Sequence, residues 1–182
     1  MRAYSHFAAA AFAVGAIAAP ANASVTLLTL PGQISTTYVN DFETVKNSGP
    51  VTFDAASVIG TAAAYSAGVT TSGTHGLGSG TAPGKITATL SSYFDAVGLN
   101  FGNDDLCCTT NMNAVLSVYD NATFLGSVLL AANMNDRVDQ FIGLSSTTPF
   151  NRVTIDYNGA SLFAFIDDFR IGSPTTSAVP EP

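Results

Sequence analysis

Between Lys85 and Tyr157 apolar side chains recur at every second residue, in short runs closed by Gly, Asn, Asp or Pro. Ile86, Ala88 and Leu90 alternate with Thr87 and Thr89, and Val97, Leu99 and Phe101 alternate with Gly98 and Asn100. A period of two sends successive side chains to opposite faces of an extended strand, so one face meets a core and the other does not. Leu116 and Val118 fall opposite Val115, Ser117 and Tyr119; Asp120-Asn121 then makes a turn, and Phe124 to Leu130 is the expected hairpin partner. Further strands are expected at Ser24–Leu30, Thr36–Thr44, Gln140–Leu144, Arg152–Tyr157 and Leu162–Ile171, while the glycine-rich stretch Gly68–Gly84 reads as loop. Beyond the N-terminal segment no stretch has a helical period. Ala55–Ala67 is the one place for a short helix, and its Val58, Ile59 and Thr61 disfavour it. The pattern predicts an all-β fold: an antiparallel two-sheet β-sandwich of jelly-roll type.

The N-terminus has the order of an export signal. Arg2 supplies the positive charge, Phe7 to Ala19 is uninterruptedly apolar, and Ala21-Asn22-Ala23 offers a small-x-small cleavage site before Ser24. The apolar run is shorter than the ~20 residues that span a bilayer, so cleavage rather than anchoring is expected. The predicted organisation is a signal peptide at 1–23, a β-sandwich domain at 24–172, and a flexible Ser/Thr/Pro segment at 173–182.

The charge balance removes one class of partner. The net charge is −7, and loss of Arg2 leaves five basic against 13 acidic residues. Nucleic acid needs a basic patch and is excluded on that ground. The acids are nearly all Asp, a residue that favours turns and suits hard cations such as calcium. The two cysteines are neighbours, Cys107 and Cys108. Adjacent Cα atoms lie about 3.8 Å apart, closer than an ordinary disulfide holds them, so a strained vicinal disulfide and two free thiols both remain open. With Asn103-Asp104-Asp105 they form a candidate loop site, Asp104 and Asp105 beside the thiols; a solvated turn is the plainer alternative.

Two groups of residues carry a family resemblance. The closing Ala178-Val179-Pro180-Glu181-Pro182, after Gly172-Ser173-Pro174-Thr175-Thr176-Ser177, resembles the start of the tail in bacterial PEP-CTERM proteins, which an exosortase is thought to sort. Tails of that family continue with an apolar helix and a basic cluster. The expectation here is a tail truncated after Pro182, with an exosortase as partner if the full tail exists. Val97 to Asp105, Phe141-Ile142-Gly143-Leu144 and Phe165-Ile166-Asp167-Asp168-Phe169 resemble exported PEP-CTERM proteins with jelly-roll, lectin-like domains. The resemblance implies a Gram-negative source and a secreted or cell-surface location, and it brings no catalytic residue.

The last expected strand holds an anomaly. Counting by twos, Phe163, Phe165, Asp167, Phe169 and Ile171 share a face, which sets Asp167 in the middle of an apolar row. A buried carboxylate must meet a cation, an arginine or several backbone N–H groups. Jelly-roll carbohydrate-binding modules often bring their first and last strands together around a structural calcium. By that resemblance Asp41 and Glu43, on one face of an early strand, join Asp167 or Asp168 as calcium ligands; carboxylates satisfied by hydrogen bonds alone are the alternative.

Catalytic signatures are missing. His75 is the sole histidine after the export signal, no G-x-S-x-G elbow occurs, and there is no H-E-x-x-H. Carbohydrate platforms favour Trp and Tyr faces, yet Trp is absent. Three functional classes therefore follow, in descending order. The first is a non-catalytic β-sandwich at the cell surface or in the extracellular matrix. The second is a calcium-stabilised module that binds exopolysaccharide or cell-wall glycans. The third is an unrecognised hydrolase.

Overall fold

The structure is a computed structural model, and it describes residues 23–65, 69–102, 111–158 and 162–175. Among the described residues ten strands are present: β1 (Val25–Leu28), β2 (Ile34–Asn40), β3 (Val51–Phe53), β4 (Val58–Thr61), β5 (His75–Gly78), β6 (Lys85–Gly102), β7 (Asn113–Asp120), β8 (Thr123–Ala131), β9 (Gln140–Asn158) and β10 (Phe165–Pro174). Every pairing among them is antiparallel.

Two long strands turn one hydrogen-bonded sheet into a sandwich. The expected pairs Lys85–Leu90 and Val97–Phe101 are one strand, β6, and Gln140–Leu144 and Arg152–Tyr157 are one strand, β9. Between their halves the β6–β9 ladder loses register, from Thr89 to Phe94 and again from Phe94 to Ala96. The inward residues change parity across that break, from Ile86, Ala88 and Leu90 to Val97, Leu99 and Phe101. All six lie in one core cluster, so the two halves look at each other across it. One layer then holds the first half of β6, the second half of β9, β3 and the β7–β8 hairpin. The other holds the second half of β6, the first half of β9, β10 and, along their flanks, β1, β2, β5 and β4.

The core is dominated by fully enclosed Phe, Leu and Ile, each worth about 1.5–3 kcal/mol when taken out of water. Phe42, Phe53 and Phe169 form an edge-to-face chain with centroids 5.3 and 5.2 Å apart, joining the β2 end, β3 and β10. Tyr157 clamps the ends of β6 and β10 from within. Its hydroxyl accepts from the N–H groups of Gly102 (3.1 Å) and Phe165 (3.2 Å) and donates to the Phe165 carbonyl (2.7 Å).

Several sequence expectations need correction. Strand β2 stops at Asn40, not Thr44, because Phe42 takes a left-handed backbone (φ 58°) that drives its ring into the core. The glycine-rich stretch contains β5, and the segment with the doubtful helix holds β4 followed by one 3-10 turn at Ala62–Tyr65. β10 runs to Pro174, and the Thr175 N–H still bonds the Gln33 carbonyl (2.9 Å), so the folded domain extends past Gly172. The hairpin turn falls as expected, with Asn121 in the left-handed region (φ 53°). The export signal and the Pro-Glu-Pro tail lie outside the described residues.

Candidate functional site

The expected apolar row around Asp167 does not exist. Ile166 faces the core, and Asp167 follows it onto the outer face, opposite Asn100. Asp168 then adopts φ 49° and the ladder breaks between Asp167 and Arg170. That bulge inserts a residue and reverses the parity, so Phe169 and Ile171 return to the core while Phe165 packs outside it with Ala62 and Val138. Phe163 precedes the strand altogether.

Asp167 is wholly buried, and hydrogen bonds satisfy it. Its Oδ2 accepts from the Ser72 N–H (2.8 Å) and its Oδ1 from the Asp168 N–H (2.7 Å). The Ser72 hydroxyl donates to Asp168 Oδ1 (2.9 Å), and Asp168 Oδ2 meets Arg170 Nη2 at 3.3 Å. Burial pushes the Asp167 carboxyl up to about 6; the donated N–H groups oppose that shift and the neighbouring Asp168 charge adds to it. Glu43 does the same work two residues further along the same loop. Its Oε1 accepts from the N–H groups of Thr74 and His75, both at 2.7 Å, and these bonds hold its pKa below the usual range. Gly73 is required between the two contacts: it has φ 50°, and a Cβ there would stand 2.1 Å from the Glu43 carboxyl carbon. Asp41 instead turns onto its own chain, accepting from the Glu43 N–H at 3.2 Å.

The structure thus brings Glu43 and the Asp167–Asp168 pair to one place, and β2 does lie beside β10. What they grip is the 72–75 loop. Asp41 and Glu43 do not share a strand face, since both follow the end of β2. Among the described residues no group of three His, Cys, Asp or Glu side chains is placed to hold a metal ion. Asp104, Asp105, Cys107 and Cys108 lie outside the described residues.

A second polar feature sits beside this latch. The outer face of the β10-containing layer carries a small apolar cluster of Leu28, Ile34, Ala96 and Phe141, apart from the main core. Gly98 and Gly143 make room for the Phe141 ring; a Cβ on Gly98 would come within 2.4 Å of it. The β1–β2 connection crosses this face, since β1 pairs with β9 and β2 with β10, on either side of β6. Beside that crossing lies an open groove of about 560 Å³. Thr29, Leu30 and Pro31 form one wall, Leu130, Asn133, Asp139 and Gln140 the other, and the nearly buried Asn100 and Phe141 the floor.

The second wall is held by its own hydrogen bonds. Asp139 accepts from the side-chain amides of Asn133 (3.1 Å) and Asn135 (2.9 Å). Gln140 accepts from the Asn133 N–H (2.8 Å) and donates to the Ala131 carbonyl (2.7 Å). Asn100 is different. It is 5% exposed, and its Oδ1 has no hydrogen-bond partner among the described residues. An unmet buried polar group costs about 1–3 kcal/mol, and a ligand that satisfies it recovers that amount. Sequence reasoning missed this groove. One signal was available: Asn100 continues the outward row Ala96, Gly98, in which every other member is small and apolar.

No protein-family model and no curated protein matches the chain. Among solved structures it is similar to the Agl-KA catalytic domain, at 17% identity and a TM-score of 0.49, over 85% of this chain and 31% of that one. It is also similar to TmCBM61 in complex with β-1,4-galactotriose, at 16% identity and a TM-score of 0.33, over 66% and 85% of the two chains. The chain therefore spans less than a third of the first of these proteins.

Proposed function

We propose that the chain is a non-catalytic, exported β-sandwich that binds carbohydrate in the groove floored by Asn100 and Phe141. The observation that supports this reading is the carbonyl oxygen of Asn100, enclosed in the floor of the groove and without a hydrogen-bond partner among the described residues. Native interiors leave few such atoms, and each calls for a partner such as an ordered water, an ion or a ligand. The surroundings suit a sugar: amide and carboxylate groups on one wall for hydroxyls, and Leu30 and Pro31 opposite for the apolar face of a pyranose. Among the described residues that line the groove, Asp139 is the one carboxylate, whereas a glycosidase uses a pair. Display at the cell surface or in the matrix, as the chain's ends imply, is the setting of this binding.

A glycan array probed with the full chain and with Asn100→Leu tests it. Saccharide signals that disappear in a folded Asn100→Leu variant are expected. Signals that survive the substitution unchanged would move binding elsewhere, and the absence of any signal would leave a displayed scaffold without a sugar ligand.

A further inference from the structure

We infer that the groove selects glycans that bring hydrogen-bond donors and carry no negative charge, and that Asp139 sets this selectivity; the inference rests on the carbohydrate-binding reading above. The first argument is the inventory of groups left open. The amides of Asn133 and Gln140 each have one N–H engaged and one to spare: Asn133 Nδ2 donates to Asp139, and Gln140 Nε2 donates to the Ala131 carbonyl. What stays unmet is an acceptor, Asn100 Oδ1. Asp139 adds two more acceptor atoms, each taking one amide donor and each with a lone pair to spare. Sugar hydroxyls and ammonium groups can donate to such a site. A uronate, sulfate or phosphate substituent brings acceptors only.

Charge points the same way. None of the described residues that line the groove is Lys or Arg. The nearest cations are engaged or face elsewhere. Arg170 lies 5.7 Å from the Phe141 ring but meets the Asp168 carboxylate at 3.3 Å. Arg137 lines a separate cleft with Thr61, Thr70 and Thr74. Asp167, directly across the ladder from Asn100, adds further negative charge under the same face once ionised. An anionic ring in the groove would meet the exposed Asp139 carboxylate with no Lys or Arg among the described lining residues to offset it.

The experiment titrates the full chain, by calorimetry and amide NMR, with trimers that differ only at one carbon. Glucotriose and galactotriose are compared with the corresponding uronic-acid trimers and with a glucosamine trimer. The neutral trimers are expected to bind at least tenfold more tightly than their uronate counterparts, and the glucosamine trimer at least as tightly as glucotriose. Asp139→Asn removes the charge from an exposed rim and keeps its shape, so it is expected to fold; it should narrow the neutral-to-uronate gap severalfold, as should raising the salt to ~0.5 M. A uronate trimer that binds as well as its neutral twin overturns the inference while leaving carbohydrate binding intact. So does millimolar calcium, added alone, that shifts the Asp139 resonances and admits uronates. If no trimer of any kind perturbs the groove, the carbohydrate-binding reading itself fails and this inference falls with it.

Discussion

Asp167 and Asn100 stand opposite each other in the β10–β6 ladder, on the same outer face, and both are almost fully enclosed. One is satisfied and the other is not. Each Asp167 oxygen receives a backbone N–H, and the carboxylate fixes a loop that glycine alone lets pass between it and Glu43. Asn100 Oδ1 receives nothing among the described residues, although a cleft opens next to it. A polar group that closes its hydrogen bonds within the protein stabilises the fold. One left open beside a cleft is available to something else. The carboxylate drew attention in the sequence, but the neutral amide next to it is the better candidate for binding.

The sharpest way to break this contrast is to delete the satisfied member. Asp167→Ala strands the Ser72 and Asp168 N–H groups and leaves a void, and is expected to lose about 2–3 kcal/mol in urea denaturation at pH 5. Acidity should sharpen it next. The folded-state pKa of Asp167 is raised from 3.8 to about 6, so between those values the native state binds the proton that the unfolded chain has released. Stability from this group is then present at low pH and falls as pH rises through 6, by on the order of 2 kcal/mol. Glu43 and Asp54 have lowered pKa values and act in the opposite sense, so the measurement is the difference between wild type and Asp167→Asn, melted from pH 4 to 7.5. A difference that stays flat across pH 6 would show that the buried carboxylate is solvated after all.

The unsatisfied member should respond differently. Asn100→Leu exchanges an unmet amide for an apolar side chain of similar volume, so stability is expected to stay within about 1 kcal/mol while glycan binding is lost. A large loss of stability would place Asn100 among the structural polar groups and remove its claim on a ligand. The smallest effect is expected from Glu43→Gln. The variant keeps an acceptor for Thr74 and His75 but gives up the charge, so global stability should barely change while the amide exchange of those two residues quickens. Exchange that quickens across β10 as well would mean that the two carboxylates act as one unit.

Much of the fold was legible because period-two alternation depends on one face meeting a core. The rows Ile86–Ala88–Leu90 and Val97–Leu99–Phe101 are buried as read, and even their change of parity, which marks the bend of β6, stands in the sequence. The short strands β3, β4 and β5 were invisible for the complementary reason. Val51–Phe53 and His75–Gly78 have too few side chains to show a period, and their strand form comes from neighbours in the ladder: β3 from β6, and β5 from β4 and β10. Asp167 was recognised as a carboxylate in need of partners, but its face was misassigned, because a single left-handed residue at Asp168 reverses every later count by two. Of the groove, nothing beyond the outward position of Asn100 could be read in advance.

The sequence by itself determined an all-β sandwich and an acidic chain without a basic patch, since both follow from residue type and local spacing, and it marked Asp167 as a carboxylate in need of partners. The tertiary structure alone decided which donors that carboxylate meets, and which polar group is left without one. Ser72 lies 95 residues from Asp167 in the chain, and the walls of the groove come from the β1–β2 and β8–β9 connections. Whether a polar atom is satisfied depends on what the fold brings within 3 Å of it, and spacing along the chain does not carry that distance.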